Sequence, residues 1–445
     1  MFRKSLALLV AVSIALLSSS SFASEDSELI LKILIKKGVI TQQEVDEMRA
    51  EIAAEKAKTT AQAEAPKTLE ERIAGIEKDL LSKVGLDKIA SRLKLKGRAA
   101  TGFFYSGERG SYPKGSFEIP EAKIQLAFQP DDINTFVMRF NLNNGATNIS
   151  STNPLLDYLY LQSKDFLPFL KKTPFSLSGR LGRFKLGFGE ETWSNNLVEG
   201  IVPSNSAGNV GMTDEGLELS GKIKLDKIGL TLLGWVASIS NGNADVGLDN
   251  SSYKALMAKI YYSPIDPLYL AATYYNSGKL KTASSAMSIA GLITPPTGAI
   301  DWSRSVWEVD ARCDVGKGKK PLEPVAYSDS KVVLRTSYGQ FNDEASGLRA
   351  TGGRGGQFGF VDGAWNLTKK IFVSGRFSFV YLDDDATASL NGITANKYNR
   401  YSLAAGYRWF ENTIIRFGYD WNDESGPHVS DVDNDLLSAY IAAQF

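Results

Sequence analysis

Five arginines, Arg335, Arg376, Arg400, Arg408 and Arg416, fall at the polar positions of segments in which apolar and polar residues alternate. A guanidinium stays charged at any ordinary pH and offers a planar fork of donors suited to anions. Counted along the chain, they belong to the eleventh, thirteenth, fourteenth (twice) and fifteenth of a series of strands. Near neighbours of this kind would build a positive ladder. Lys94, Lys96 and Arg98 add three cations at alternate positions at the start of the series. A connection at about 187–213 carries Glu190, Glu191 and Glu199. An acidic loop facing a basic wall would set a transverse field across any opening between them. The bland alternative is that the arginines pair with Asp310, Asp362 or Asp420 and only solvate an interior.

Other chemistry is poorly supplied. The chain has one cysteine, Cys313, and one histidine, His428. A single cysteine excludes an internal disulfide, a cysteine-rich zinc site and c-type haem attachment. Nucleophilic catalysis wants a base beside the nucleophile, and His428 sits in a loop after Gly426-Pro427, so no catalytic residue and no enzyme activity is expected. Gly352-Gly353-Arg354-Gly355-Gly356 lacks the Lys-Ser/Thr and helix of a phosphate loop and reads as a flexible connection. Asp383-Asp384-Asp385 has hard oxygen ligands but reads first as a solvated turn. No metal and no cofactor is expected. Lys plus Arg and Asp plus Glu are both 50 in 445 residues, which argues against a nucleic-acid partner.

The elements that must position these charges are strands. From about residue 92 the period is two: Leu93, Leu95, Phe103 and Tyr105 alternate with Lys94, Lys96 and Ser106, and Ile415, Phe417, Tyr419 and Trp421 alternate with Arg416, Gly418 and Asp420. Forty glycines mark many turns. Short turns (130–134, 226–227, 264–267, 367–370, 410–413) alternate with long connections rich in Gly, Asn, Ser and Asp (187–213, 240–252, 276–303, 341–356, 383–396, 422–434). Segment 316–330 departs from that rhythm. Short turns on one side and long loops on the other are the layout of a transmembrane antiparallel β-barrel, here of about 16 strands over 92–445. Tyr105, Tyr269, Trp307, Tyr381, Trp409 and Trp421 suit interfacial girdles. Parity is ambiguous over 116–130, 155–163 and 175–186.

Two segments precede the barrel. Residues 1–23 read as a cleaved signal peptide: Arg3 and Lys4, an apolar stretch from Leu6 to Leu17, and Ser21-Phe22-Ala23. Residues 24–91 read as a periplasmic helical arm and linker, with Thr41 and Glu44 spaced as a capping box. Leu69, Ile73, Ile76 and Leu80 there have the spacing of a short coiled-coil seam. At the other end Leu437, Ala439, Ile441, Ala443 and Phe445 share one face, which resembles the C-terminal signature of bacterial outer-membrane proteins.

The run Leu181-Gly182-Arg183-Phe184-Lys185-Leu186-Gly187-Phe188-Gly189 resembles a recurring segment of the phosphate-selective porins O and P, with Gly187 in place of that family's proline. Lys37-Gly38-Val39-Ile40-Thr41, Gly375-Arg376-Phe377-Ser378 and Tyr407-Arg408 resemble other parts of it. The resemblance implies a sixteen-stranded, trimeric outer-membrane porin with the loop after the fifth strand folded into the pore. The expected function is diffusion of small hydrophilic solutes and ions, tilted toward anions. Pore-lining residues would be Arg335, Arg376, Arg400, Arg408, Arg416, Lys94, Lys96 and Arg98, with Glu190, Glu191 and Glu199 on the constriction loop. Outer-membrane lipid, lipopolysaccharide and, through the arm, peptidoglycan are the expected partners. Two alternatives stand beside the porin: a sheath around a c-type cytochrome, and a peptidoglycan-tethering barrel.

Overall fold

The structure is a computed structural model that describes residues 42–43, 91–142, 156–167, 169–170, 173–194, 196–225, 230–243, 253–265, 267–316, 330–347, 353–383, 388–427 and 431–445. The chain divides into Met1–Leu86 and Asp87–Phe445. Of the first unit only Gln42 and Gln43 are described, both helical and exposed. The expected signal peptide and the rest of the arm lie outside the described residues, as do His428, Asp384, Asp385 and most of segment 316–330.

Sixteen antiparallel strands form one closed barrel. They are β1 (Leu93–Ser106), β2 (Ser116–Phe128), β3 (Asn134–Asn141), β4 (Leu156–Lys164), β5 (Phe175–Lys185), β6 (Thr213–Leu225), β7 (Leu230–Ser240) and β8 (Ala255–Ile265), followed by β9 (Leu268–Asn276), β10 (Asp301–Val315), β11 (Val332–Ser346), β12 (Arg354–Asn366), β13 (Ile371–Leu382), β14 (Lys397–Phe410), β15 (Thr413–Ser425) and β16 (Leu436–Gln444). Each pairs with the next, and β1 pairs with β16 from Arg98↔Gln444 to Ser106↔Leu436. Closure leaves no strand edge unpaired, the condition for crossing a medium that offers no hydrogen bonds. The seam continues one residue further, where Gly97 and Phe445 exchange backbone bonds of 3.1 and 2.9 Å. A Cβ on Gly97 would stand 2.4 Å from the Phe445 ring, so the glycine makes the slot in which that ring sits.

Polarity is reversed relative to a soluble domain. Phe117, Leu181, Leu403 and Phe417 are 84%, 59%, 58% and 60% exposed, whereas Arg304, Asp343 and Arg416 are fully buried. The outward set is largely apolar, and most charged strand residues point inward. Lipid supplies the cover that the outward side chains need. No described helix is long and apolar enough to cross a membrane. Turn chemistry agrees. Asp131 accepts from the backbone of Ile133 and Asn134 at 2.8 and 2.7 Å in the β2–β3 turn. Bonds from the Asn134 side chain and these amides hold its carboxyl below the usual carboxylate range. Thr368 does the same with its hydroxyl in the β12–β13 turn.

Bulges account for the ambiguous parity over 116–130 and 155–163. Between Ala100↔Glu121 and Gly102↔Glu118, Thr101 faces two residues, Ile119 and Pro120. That extra residue moves the inward set of β2 onto Glu121, Lys123, Gln125 and Ala127. A second slip between Arg139 and Phe140 inserts Asp157 opposite β3. Two sequence expectations are corrected. Tyr269 is not a girdle residue: Leu268, Leu270 and Tyr274 take the outward positions of β9, and Tyr269 lies buried inside, its ring 5.9 Å from Tyr261. The glycine run expected in a loop instead opens β12, which begins at Arg354.

Candidate functional site

The connection from β5 to β6, Leu186 to Met212, turns into the lumen rather than outward. Its first bend needs Gly189 (φ +63), whose Cβ would stand 2.7 Å from the Glu308 carboxylate. One helical turn follows, Glu191–Ser194. Asn196 then accepts from the backbone of Val198 and Glu199 at 3.0 and 2.8 Å, a local turn that fixes the far end of the loop.

Wall side chains hold the loop along its whole path. Lys185 donates to the Thr192 carbonyl (2.7 Å) and Lys259 to Glu190 (3.0 Å). Ser378 accepts from Ala207 N at 2.9 Å, Ser374 donates to the Ile201 carbonyl at 2.7 Å, and the Tyr440 hydroxyl donates to the Leu197 carbonyl at 3.0 Å. Apolar packing reinforces this. Phe188, Ala207, Val210 and Met212 join Met287, Ile289 and Leu292 of the β9–β10 connection and Leu390 and Ala395 of the β13–β14 connection in one buried cluster against β5 and β8–β14. Val210–Gly211 pairs with Ser288–Ile289 as a two-residue ladder. Three connections therefore pack together inside the barrel.

The five arginines face inward, and most of their donors are engaged, Arg416 Nε being the exception. Arg335 grips Asp362 through two bonds of 3.0 and 2.7 Å. Arg376 binds the same carboxylate at 3.0 and 2.8 Å, and reaches the loop through Glu191 (2.9 Å) and the Ser204 carbonyl (3.0 Å). Arg416 donates to the carbonyls of Gly200 and Val198. Arg400 donates to Asn422, Asn205 and Tyr398. Arg408 lies at the turn-side rim on Asn366 and Lys369, stacked on Phe372. Arg335, Arg376 and Arg416 are 3%, 6% and 0% exposed. The structure thus brings Arg335, Arg376 and Glu191 together around Asp362. Glu191 meets its arginine at contact distance, so no aqueous gap separates that acid from that base. Glu190 is paired with Lys259 instead.

The stretch of wall formed by β1–β3 is built differently. Lys94, Lys96 and Arg98 of β1, Lys123 of β2 and Arg139 of β3 line a cavity of about 680 Å³ at the turn-side mouth, with Gln125, Asn412, Gln444 and loop residue Glu199. Arg98 pairs with Glu121 at 2.5 Å, and Arg139 pairs with Asp157 at 2.7 Å. Lys123 stands 3.8 and 3.6 Å from those two acids. Arg139 also lies 3.5 Å above the Tyr158 ring. Among the described residues five cations here meet three carboxylates, Glu121, Asp157 and Glu199, which leaves a positive excess beside open volume. Sequence reasoning missed Lys123, because the bulge at Ile119-Pro120 hides its face. It also missed Lys259 as a loop anchor, whereas the pairing of the arginines with Asp362 is one of the alternatives read from the sequence. Arg139 stood at a readable inward position between Met138 and Phe140.

Neither a family model nor any curated protein sequence matches the chain. Solved structures do. The outer membrane channel DcaP of Acinetobacter baumannii superposes with a TM-score of 0.53 at 12% identity, covering 79% of this chain and 97% of that one. OmpT, an outer membrane protein of Vibrio cholerae, gives 0.49 at 10% identity over 79% and 97%. At such identities the likeness is one of fold, and the fold is the closed barrel also found in an outer-membrane channel.

Proposed function

We propose that this chain is an outer-membrane porin that passes small hydrophilic solutes and ions by diffusion and favours anions. One observation carries the reading: a lumen narrowed by its own loops, with a cavity of about 680 Å³ at the turn-side mouth along β1–β3 where, among the described residues, cations outnumber acids. Low-dielectric walls concentrate the field of such an excess in the remaining passage. Rings of charged side chains set selectivity in pores of this kind. The loop from Leu186 to Met212 occupies space that a protein plug would need, which speaks against a sheath around a cytochrome. The homotrimer implied by the family resemblance belongs to the same proposal, and chemical cross-linking of the detergent-purified protein tests it.

The deciding experiment is single-channel recording in a planar bilayer with a potassium chloride gradient. Stepwise conductance with a reversal potential on the chloride side is expected. Conductance reversing on the potassium side would retain the porin and overturn the anion preference. A folded barrel with no conductance would overturn both.

A further inference from the structure

At the loop-side end of the barrel, away from the pore wall just described, two acceptor oxygens face each other's surroundings without a donor. Glu424 Oε2, at the end of β15, and Asn434 Oδ1, just before β16, are both buried, in residues 1% and 7% exposed, and neither oxygen has a hydrogen-bond partner, although the Val432 amide reaches the Glu424 carboxyl. The two side chains are joined, since Asn434 Nδ2 donates to Glu424 Oε1 at 2.7 Å. Asp431 comes to the same point. Its Oδ1 accepts from Glu424 N at 3.2 Å, and its carboxyl lies within hydrogen-bond reach of the Glu424 carboxyl. Two carboxyls and an orphaned amide oxygen in contact are an unfavourable arrangement unless something positive sits among them.

Among the described residues no cation is hydrogen-bonded or ion-paired to these three side chains, and Arg400 on the neighbouring strand spends its donors on Asn422, Asn205 and Tyr398. Neighbouring acids deepen the deficit. Asp435 is already engaged by Asn422 N (2.8 Å) and the Tyr419 hydroxyl (3.0 Å), and Asp423 by Asn399. We propose that Glu424, Asp431 and Asn434 form a calcium site that ties the β15–β16 connection to the barrel rim. Hard oxygen ligands of this mixed type, carboxylate plus amide carbonyl, are those calcium takes, with water completing its shell. The site differs in composition from a cluster of three or more His, Cys, Asp or Glu, of which none among the described residues is placed to hold a metal. Two carboxylates at a rim suit the weak range of extracellular modules, roughly 10⁻⁴–10⁻³ M.

The test uses the full-length protein folded in detergent, stripped with a chelator and titrated with calcium chloride. Equilibrium dialysis with radioactive calcium should show a saturable site in that range. Glu424→Gln and Asp431→Asn should each weaken it on the order of tenfold or more, whereas Asp383→Asn should not. Hydrogen exchange on the unaltered protein provides a readout that needs no variant: calcium should slow exchange at the amides of 422–436. Absence of saturable binding, or binding unchanged by both substitutions, would overturn the site. So would calcium that leaves exchange over 422–436 untouched, the result expected if a shared proton already satisfies the two carboxyls.

Discussion

Two walls of one lumen carry arginine and lysine, and they use them in opposite ways. On β11–β15, Arg335, Arg376 and Arg416 are buried, and their bonds end on Asp362, Glu191 and loop carbonyls. On β1–β3, Lys94 and Lys96 reach into open volume, and Arg98, Lys123 and Arg139 share too few acids. An inward-facing cation is therefore not by itself a pore cation. A guanidinium already holding a fixed carboxylate in a dry site has little left to offer a passing ion, because the local field is neutralised at contact. The first wall fixes the loop in place, and the second meets the solute.

The largest effect should come from breaking the anchoring wall at its shared acid. Asp362→Ala leaves Arg335 and Arg376 facing each other without their common carboxylate. Removing one partner of a buried pair costs about 3–5 kcal/mol. Denaturant unfolding of the purified barrel, followed by loss of its compact electrophoretic form, should show that loss. Bilayer recordings should show a larger and noisier conductance as the loop loosens. Unchanged stability with a shifted reversal potential would place these arginines in the ion pathway and erase the distinction between the walls.

Next in size is the converse experiment. Replacing Arg98, Lys123 and Arg139 together by glutamine removes the positive excess of the open wall while leaving the loop anchors intact. The anion-to-cation permeability ratio should fall on the order of several-fold, with unit conductance little altered. Neutralising Arg416 instead should leave the ratio nearly constant. Equal shifts from the two sets would show that position around the wall does not matter. The single change Glu199→Gln is the same comparison at smaller scale. It removes the one loop acid lining that cavity, and should raise the ratio modestly.

How much of this was legible beforehand follows from what strand periodicity can and cannot encode. Inward and outward sets were readable wherever the alternation runs unbroken, as in β10, β13 and β15. For that reason the arginines were placed on the correct face and on the correct strands. Lys123 was hidden by one extra residue at Ile119-Pro120, since a single slip exchanges the two faces of everything beyond it. Tyr269 was misassigned because an aromatic near a strand end looks the same from either face. What no periodicity carries is the partner across the lumen. Asp362 is adjacent to Arg335 and Arg376 through strand register, but the Glu191–Arg376 pair spans 185 positions and exists only because the loop folds inward. The role of each charge is decided by such long-range contacts.

The smallest effect tests whether the anchoring wall works as a set of weak, separable bonds in addition to its ionic core. Ser374, on β13 two residues before Arg376, donates its hydroxyl to the Ile201 carbonyl at 2.7 Å, and both groups are buried. Ser374→Ala removes one oxygen and leaves that carbonyl without this donor. Ile201 packs with Val202, Val333, Ala364 and Ala404, so the loop keeps its apolar seat. The expected cost is about 1 kcal/mol, the net worth of one neutral hydrogen bond plus part of the penalty for the orphaned acceptor. Reversal potential should not move, because no charge changes. Combined with Asp362→Ala, the loss should be smaller than the sum of the two, since a loop already freed at Glu191 and Ser204 no longer holds Ile201 against β13. Strict additivity would mean that the loop is held by independent points rather than seated as one unit.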